Sequence, residues 1–185
     1  MKNKPILVLV VDDQFDTLSA DLQNRCKEFQ FSGVESFNVK LVLEKLKAAS
    51  GTTVLLLDVI DASNRNPNAG IEMYKALGDT PRWQELRDNM QAVQVVVFTS
   101  EPEEQHQFLL AQERRADLSG FVAKSDLYDD GRLSAFKEAL RRADSQAQRY
   151  RQYPSLADPV RSECELLYSP NSRSMQEVWE KILLA

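Results

Sequence analysis

Thr53-Val54-Leu55-Leu56-Leu57-Asp58 is the stretch that decides the fold. Its first five residues are strand formers without a polar interruption, the pattern of a strand buried on both faces. Asp58 stops the run. A charged carboxylate left unpartnered in a core costs several kcal/mol, so the acid is expected at the strand's C-terminal end, outside the core. Three other apolar runs stop in the same way. Residues 6–11 end in Asp12-Asp13, residues 95–98 in Thr99-Ser100, and residues 120–123 in Lys124. Acids, a hydroxyl and a lysine at the ends of parallel strands converge on one crevice, where open α/β sheets place their ligands.

Between these runs the chain is helical in pattern. Phe15, Leu18, Leu22, Cys26 and Phe29 recur at helical spacing, and Val39, Val42, Leu43 and Leu46 mark a second helix that ends at Ser50-Gly51. A weaker strand is expected near 34–37. A helix starts at Gly70 with Ile71, Tyr74 and Leu77, Gly78 and Pro81 break it, and another helix spans 103–116. Trp83 and Leu86 ask for burial in between. The expected fold is α/β and flavodoxin-like, a five-stranded parallel sheet with right-handed crossover helices on both faces.

The chain of 185 residues suffices for one good core, and a net charge of −5 argues against nucleic-acid binding as its main business. Cys26 and Cys164 are far apart and in no metal-like spacing, so they read as reduced thiols of a cytoplasmic protein. The apolar run after Met1-Lys2-Asn3-Lys4 is too short for a signal peptide, and no stretch approaches the ~20 residues that span a membrane. His106 is the single histidine and falls on a predicted helix, where a surface position is the usual one.

Residues 131–150 read as a helix too long merely to cover a sheet. Its stripe of Leu133, Phe136, Leu140, Ala143, Ala147 and Tyr150 alternates in steps of three and four, a heptad seam. Its second half is expected to have no sheet left to cover. Leu140, Ala143, Ala147 and Tyr150 are therefore the expected seam of a homodimer. Residues 151–163 read as a linker with two prolines, Pro154 and Pro159. Met175, Val178, Trp179, Ile182 and Leu183 then form an amphipathic stripe that runs to the end of the chain, which suggests a longer natural protein.

The strand-end set Asp12, Asp13, Asp58, Thr99 and Lys124, in this order, resembles a response-regulator receiver domain of two-component signalling, over about residues 5–140. The resemblance implies that Asp58 is a phosphoacceptor served by a histidine kinase. It implies Mg²⁺ held by Asp13, Asp58 and the backbone carbonyl of Ile60, with Asp12 acting through water. Thr99 and Lys124 would bind the phosphoryl group, and Phe121 would be the switch aromatic. The residue types suit the chemistry: a carboxylate nucleophile needs its charge offset before a phosphoryl anion can approach, and lysine supplies a point charge. Such a domain is no enzyme beyond its own phosphoryl transfer and dephosphorylation. Glu165 to Val178 is similar to the opening of the AAA+ ATPase domain of sigma-54-activating transcription regulators of the nitrogen regulatory protein C type. On that resemblance the chain divides into a receiver at 1–130, a linker helix at 131–150, a linker at 151–163 and the start of an ATPase at 164–185. No Gly-rich loop ending in Gly-Lys-Thr occurs, so the chain cannot itself hydrolyse ATP.

Two features depart from the family. Ser125 follows Lys124 where a proline on a cis bond is usual; a cis bond before a non-proline costs ~3–4 kcal/mol, so a differently shaped loop is expected. The span from Asp58 to Thr99 is also long, with the excess in 62–69 and 81–90, read as surface insertions of which the first lies beside the site. A phosphatase with a strand-end aspartate nucleophile would need a second aspartate at Ile60. The remaining alternative is a pseudo-receiver or stand-alone receiver acting as a protein-interaction module.

Overall fold

The computed structural model describes residues 5–49, 51–81, 93–100 and 117–152. Five strands, β1 (Ile6–Val11), β2 (Phe29–Val34), β3 (Val54–Leu57), β4 (Gln94–Thr99) and β5 (Leu118–Ala123), form one sheet in the order β2-β1-β3-β4-β5. Every pairing is parallel. Helices α1 (Phe15–Arg25), α2 (Val39–Ala48), α3 (Ala69–Asp79) and α4 (Leu133–Gln152) alternate with the strands, and a 3-10 turn, Lys124–Leu127, follows β5.

The continuous apolar runs are buried on both faces, as their composition requires. Leu9, Val11, Leu55, Leu57, Val95 and Val97 pack with α2 and α3. Val8, Val10, Leu56, Val96 and Phe98 pack with α1 and α4. The strand period of two thus divides each run between two cores. Asn38 opens α2 by accepting the Leu41 N–H at 3.2 Å, a side-chain cap. Gly33 on β2 leaves room for the Phe15 ring, which a Cβ would meet at 2.0 Å.

Two expectations need correction. The weak strand lies at Phe29–Val34, not near 34–37, and Phe29 belongs to it and not to the preceding helix. Phe29 is buried in the same core as Leu18, Leu22 and Cys26, so helical spacing did not separate it from them. β2 is an edge strand, and between its buried ends exposed and half-buried residues alternate.

The second correction concerns α4. Its stripe is not left uncovered. Phe136, Leu140, Ala143 and Ala147 are fully buried within the chain, and Tyr150 is 6% exposed. The distal half lies across the N-terminal ends of β3 and β5. Thr53 Oγ1 donates to Asp144 Oδ1 at 2.5 Å, Ser119 Oγ reaches Gln146 Oε1 at 2.9 Å, and the Arg151 guanidinium donates to the Thr52 carbonyl at 3.1 Å. The reason for placing a second copy on Leu140, Ala143, Ala147 and Tyr150 therefore falls away.

The helix expected at 103–116, Trp83, Leu86, His106, Cys164 and all of 153–185 lie outside the described residues. Among the described residues, no helix is long and apolar enough to cross a membrane. Cys26 is buried and free, and burial pushes its thiol up.

Candidate functional site

Parallel pairing brings the strand ends to one edge of the sheet. Asp12 and Asp13 follow β1, Asp58 follows β3, Thr99 ends β4, and Lys124 follows β5. In register, Val11 sits beside Leu57 and Thr99 beside Ala123, so these residues stand in adjacent positions along that edge. Carboxylate oxygens of Asp12, Asp13 and Asp58 lie within 4.8 Å of one another.

The acids are more deeply placed than their positions outside the strands led us to expect. Asp12 is 0% and Asp58 3% exposed, while Asp13 is half-buried. Lys124 makes this tolerable. Its Nζ lies 2.7 Å from Asp58 Oδ2 and 2.9 Å from Asp12 Oδ2, and it stands 5.6 Å from the centre of the Phe98 ring. Backbone donors hold the other oxygens, with Gln14 N–H on Asp12 Oδ1 and Val59 N–H on Asp58 Oδ1, both at 2.8 Å.

One cation facing two buried acids leaves the site short of positive charge. Burial pushes the Asp58 carboxyl up to about 6, against the opposing pull of Lys124 and with a further push from Asp12. Burial alone would lower the Lys124 ammonium, yet Asp58 and then Asp12 outweigh it and raise the group. Asp12 Oδ2 is buried and, despite the ammonium's proximity, accepts no well-directed hydrogen bond. An under-coordinated buried oxygen among three hard oxygen donors fits a divalent cation such as Mg²⁺.

The sign of the pH dependence follows. Asp58 holds its proton to about pH 6 in the fold, whereas an unfolded aspartate releases it near ~3.9. The native state thus binds more protons across this window, and metal-free stability falls as pH rises through it, by at most about 3 kcal/mol. Asp58→Asn removes this cost. Urea unfolding in chelator should show the variant gaining on the wild type from pH 4 to pH 6, with a constant difference above. A difference that does not change with pH would contradict the burial argument.

The remaining expected residues fall around the cluster. Thr99 is fully buried at the end of β4. Phe121 on β5 is partly buried against the α2/α3 core, as is Ile60 in the loop after β3. No cis peptide bond occurs among the described residues, and the chain turns directly into the 3-10 segment, with Ala123 N–H donating to Asp126 Oδ2 at 3.3 Å.

Two residues escaped the sequence reading. Gly70 approaches the strand end so closely that a Cβ would sit 2.0 Å from the Asp58 carbonyl oxygen, and its N–H donates to the Val59 carbonyl at 2.9 Å. Its place at a helix start hinted at the requirement. Ser63, in the inserted loop, donates from its backbone N–H at 2.8 Å and its hydroxyl at 2.7 Å to Asp13 Oδ2. The loop after β3 therefore reaches the cluster, and no local signal could link residues 50 positions apart.

No family model matches the sequence, and no curated protein is similar to it at a significant level. Solved structures are similar in fold. The solved structure of FixJ-N aligns with a TM-score of 0.51 and 16% identity over 77% of this chain and 96% of that one. The signal receiver domain of a Vibrio parahaemolyticus protein described as a LuxO repressor aligns at 0.50 and 14%, over 77% and 95%. An adenylate cyclase from Rhodopirellula baltica aligns at 0.55 and 18%, over 83% and 97%. Sheet order and structural neighbours agree on the fold: the chain has the CheY-like, flavodoxin-like architecture that signal receiver domains share.

Proposed function

We propose that the chain is a phosphorylation switch in which Asp58 accepts a phosphoryl group from a phosphohistidine of a partner kinase. The observation that carries this reading is the gathering of Asp12, Asp13 and Asp58 at one sheet edge, with the Lys124 ammonium on Asp12 and Asp58. A carboxylate oxygen of Asp58 attacks phosphorus, the P–N bond breaks, its electron pair returns to the imidazole, and an acyl phosphate forms. Mg²⁺, held by Asp13, Asp58 and the Ile60 carbonyl with Asp12 through water, would supply the positive charge that offsets the meeting anions. The Val59 N–H fixes the Asp58 carboxylate for attack. Lys124, already at hydrogen-bond distance from Asp58, transfers its charge to the incoming phosphoryl oxygens.

The response is a rearrangement at the neighbouring strand ends. A phosphoryl oxygen on Asp58 offers Thr99 a hydrogen-bond acceptor, and Phe121, half-buried on the neighbouring β5, repacks as Thr99 shifts towards it. The change passes to an effector, for which the tail's similarity to a sigma-54-activating ATPase is the support. A test is intact mass after incubation with Mg²⁺ and acetyl phosphate. The expected gain is one phosphoryl group, lost when the metal is chelated. No gain would favour a pseudo-receiver that acts as an interaction module.

A further inference from the structure

Residues 61–66 form a closed loop before they form part of any site. Asp61 and Asn66 exchange both backbone hydrogen bonds at 2.9 Å. The buried Asp61 carboxylate accepts from Asn64 N at 2.9 Å and Asn64 Nδ2 at 2.7 Å, an Asx-type turn that fixes the tip. Asn66 accepts the Asn68 N–H and donates to Glu72 Oε2, both at 2.9 Å, which ties the loop to α3. Arg65 takes a left-handed φ of 55° to complete the turn. These bonds hold Ser63 in place independently of Asp13.

From that frame Ser63 aims two donors at one oxygen. Its N–H and hydroxyl both reach Asp13 Oδ2. A carboxylate oxygen has two lone pairs, so Oδ2 is saturated and Oδ1 is the oxygen Asp13 has to offer a cation. The half-buried Asp13 stands in the short turn between β1 and α1, and Ser63 reaches its side chain from the opposite loop. We propose that Ser63 is a positioning residue of the cation site, holding Asp13 as a one-oxygen ligand whose orientation is set by the inserted loop. This rests on reading the acid cluster as a Mg²⁺ site. Hydrogen-bonded partners of metal ligands are commonly worth ten- to a hundredfold in affinity, and the exposure of Ser63 puts it at the low end.

The test is Mg²⁺ titration of the full chain, with affinity taken from calorimetry and melting temperature measured in chelator. Ser63→Ala should weaken Mg²⁺ binding about tenfold with the metal-free melting temperature unchanged, and Ser63→Thr should restore most of the affinity. Wild-type affinity in Ser63→Ala, or a fall in metal-free melting temperature without loss of affinity, would overturn the role of Ser63 while leaving the Mg²⁺ site standing. A wild type that binds no Mg²⁺ would overturn both.

Discussion

Lys124→Met should cost the metal-free protein ~3–5 kcal/mol near neutral pH, the usual penalty for removing one partner of a buried ion pair. The ammonium is 2.7 Å from Asp58 and 2.9 Å from Asp12, and both acids are almost wholly buried. Without it, two like charges face each other in a poor solvent. The protein can escape by leaving Asp58 protonated, since burial already lifts that carboxyl to about 6 with the lysine present. The loss should accordingly be smaller at pH 5 than at pH 8, because an acid whose folded pKa is raised costs stability only as pH climbs towards that value. Mg²⁺ should restore part of the stability by linkage. Phosphoryl acceptance should not recover with it. A positioned charge on the reacting group is worth ~10²–10³ in rate, and Mg²⁺ would be held by Asp13, Asp58 and the Ile60 carbonyl without replacing the Lys124 ammonium. Urea melts at the two pH values, with and without Mg²⁺, check the first part, and a phosphorylation time course checks the second. Wild-type stability at pH 8 in chelator would show that Lys124 does not hold the acids together.

Ala147→Asp should unfold the chain or destabilise it by ~4 kcal/mol or more, the range of a buried unpaired charge. Ala147 is fully buried, one step along the inner stripe of α4 from the equally buried Ala143. The substitution adds a carboxylate where the helix meets its own domain. Had the stripe been open to a second copy, the same change would have left a stable monomer. Thermal melting and light scattering together separate the cases. A folded, monomeric variant with the wild-type melting temperature would reinstate an exposed seam.

These two variants also mark what could and could not be read from the residues alone. The runs ending at Asp13, Asp58, Thr99 and Lys124 were legible because a parallel sheet buried on both faces writes an unbroken apolar run, and a polar residue can only follow at its exit. β2 was misplaced because an edge strand interrupts that pattern, and Gln30 and Ser32 on its exposed side look like a loop. The cover over the distal half of α4 was illegible for a different reason. It is supplied partly by polar groups, Thr53, Ser119 and the Thr52 carbonyl, which carry no hydrophobic signal. Ser63 and Gly70 matter through a single close approach each, to Asp13 and to the Asp58 carbonyl, and such approaches exist only after the chain has folded.

The most direct test of Asp58 as phosphoacceptor is intact-protein mass spectrometry of wild type and Asp58→Asn side by side, each with Mg²⁺ and acetyl phosphate, followed by peptide mapping. The expected result is one added phosphoryl group on the wild type, carried by the peptide containing Asp58, and none on the variant. Equal phosphorylation of the two, or a phosphoryl group mapped to any other residue, would contradict it.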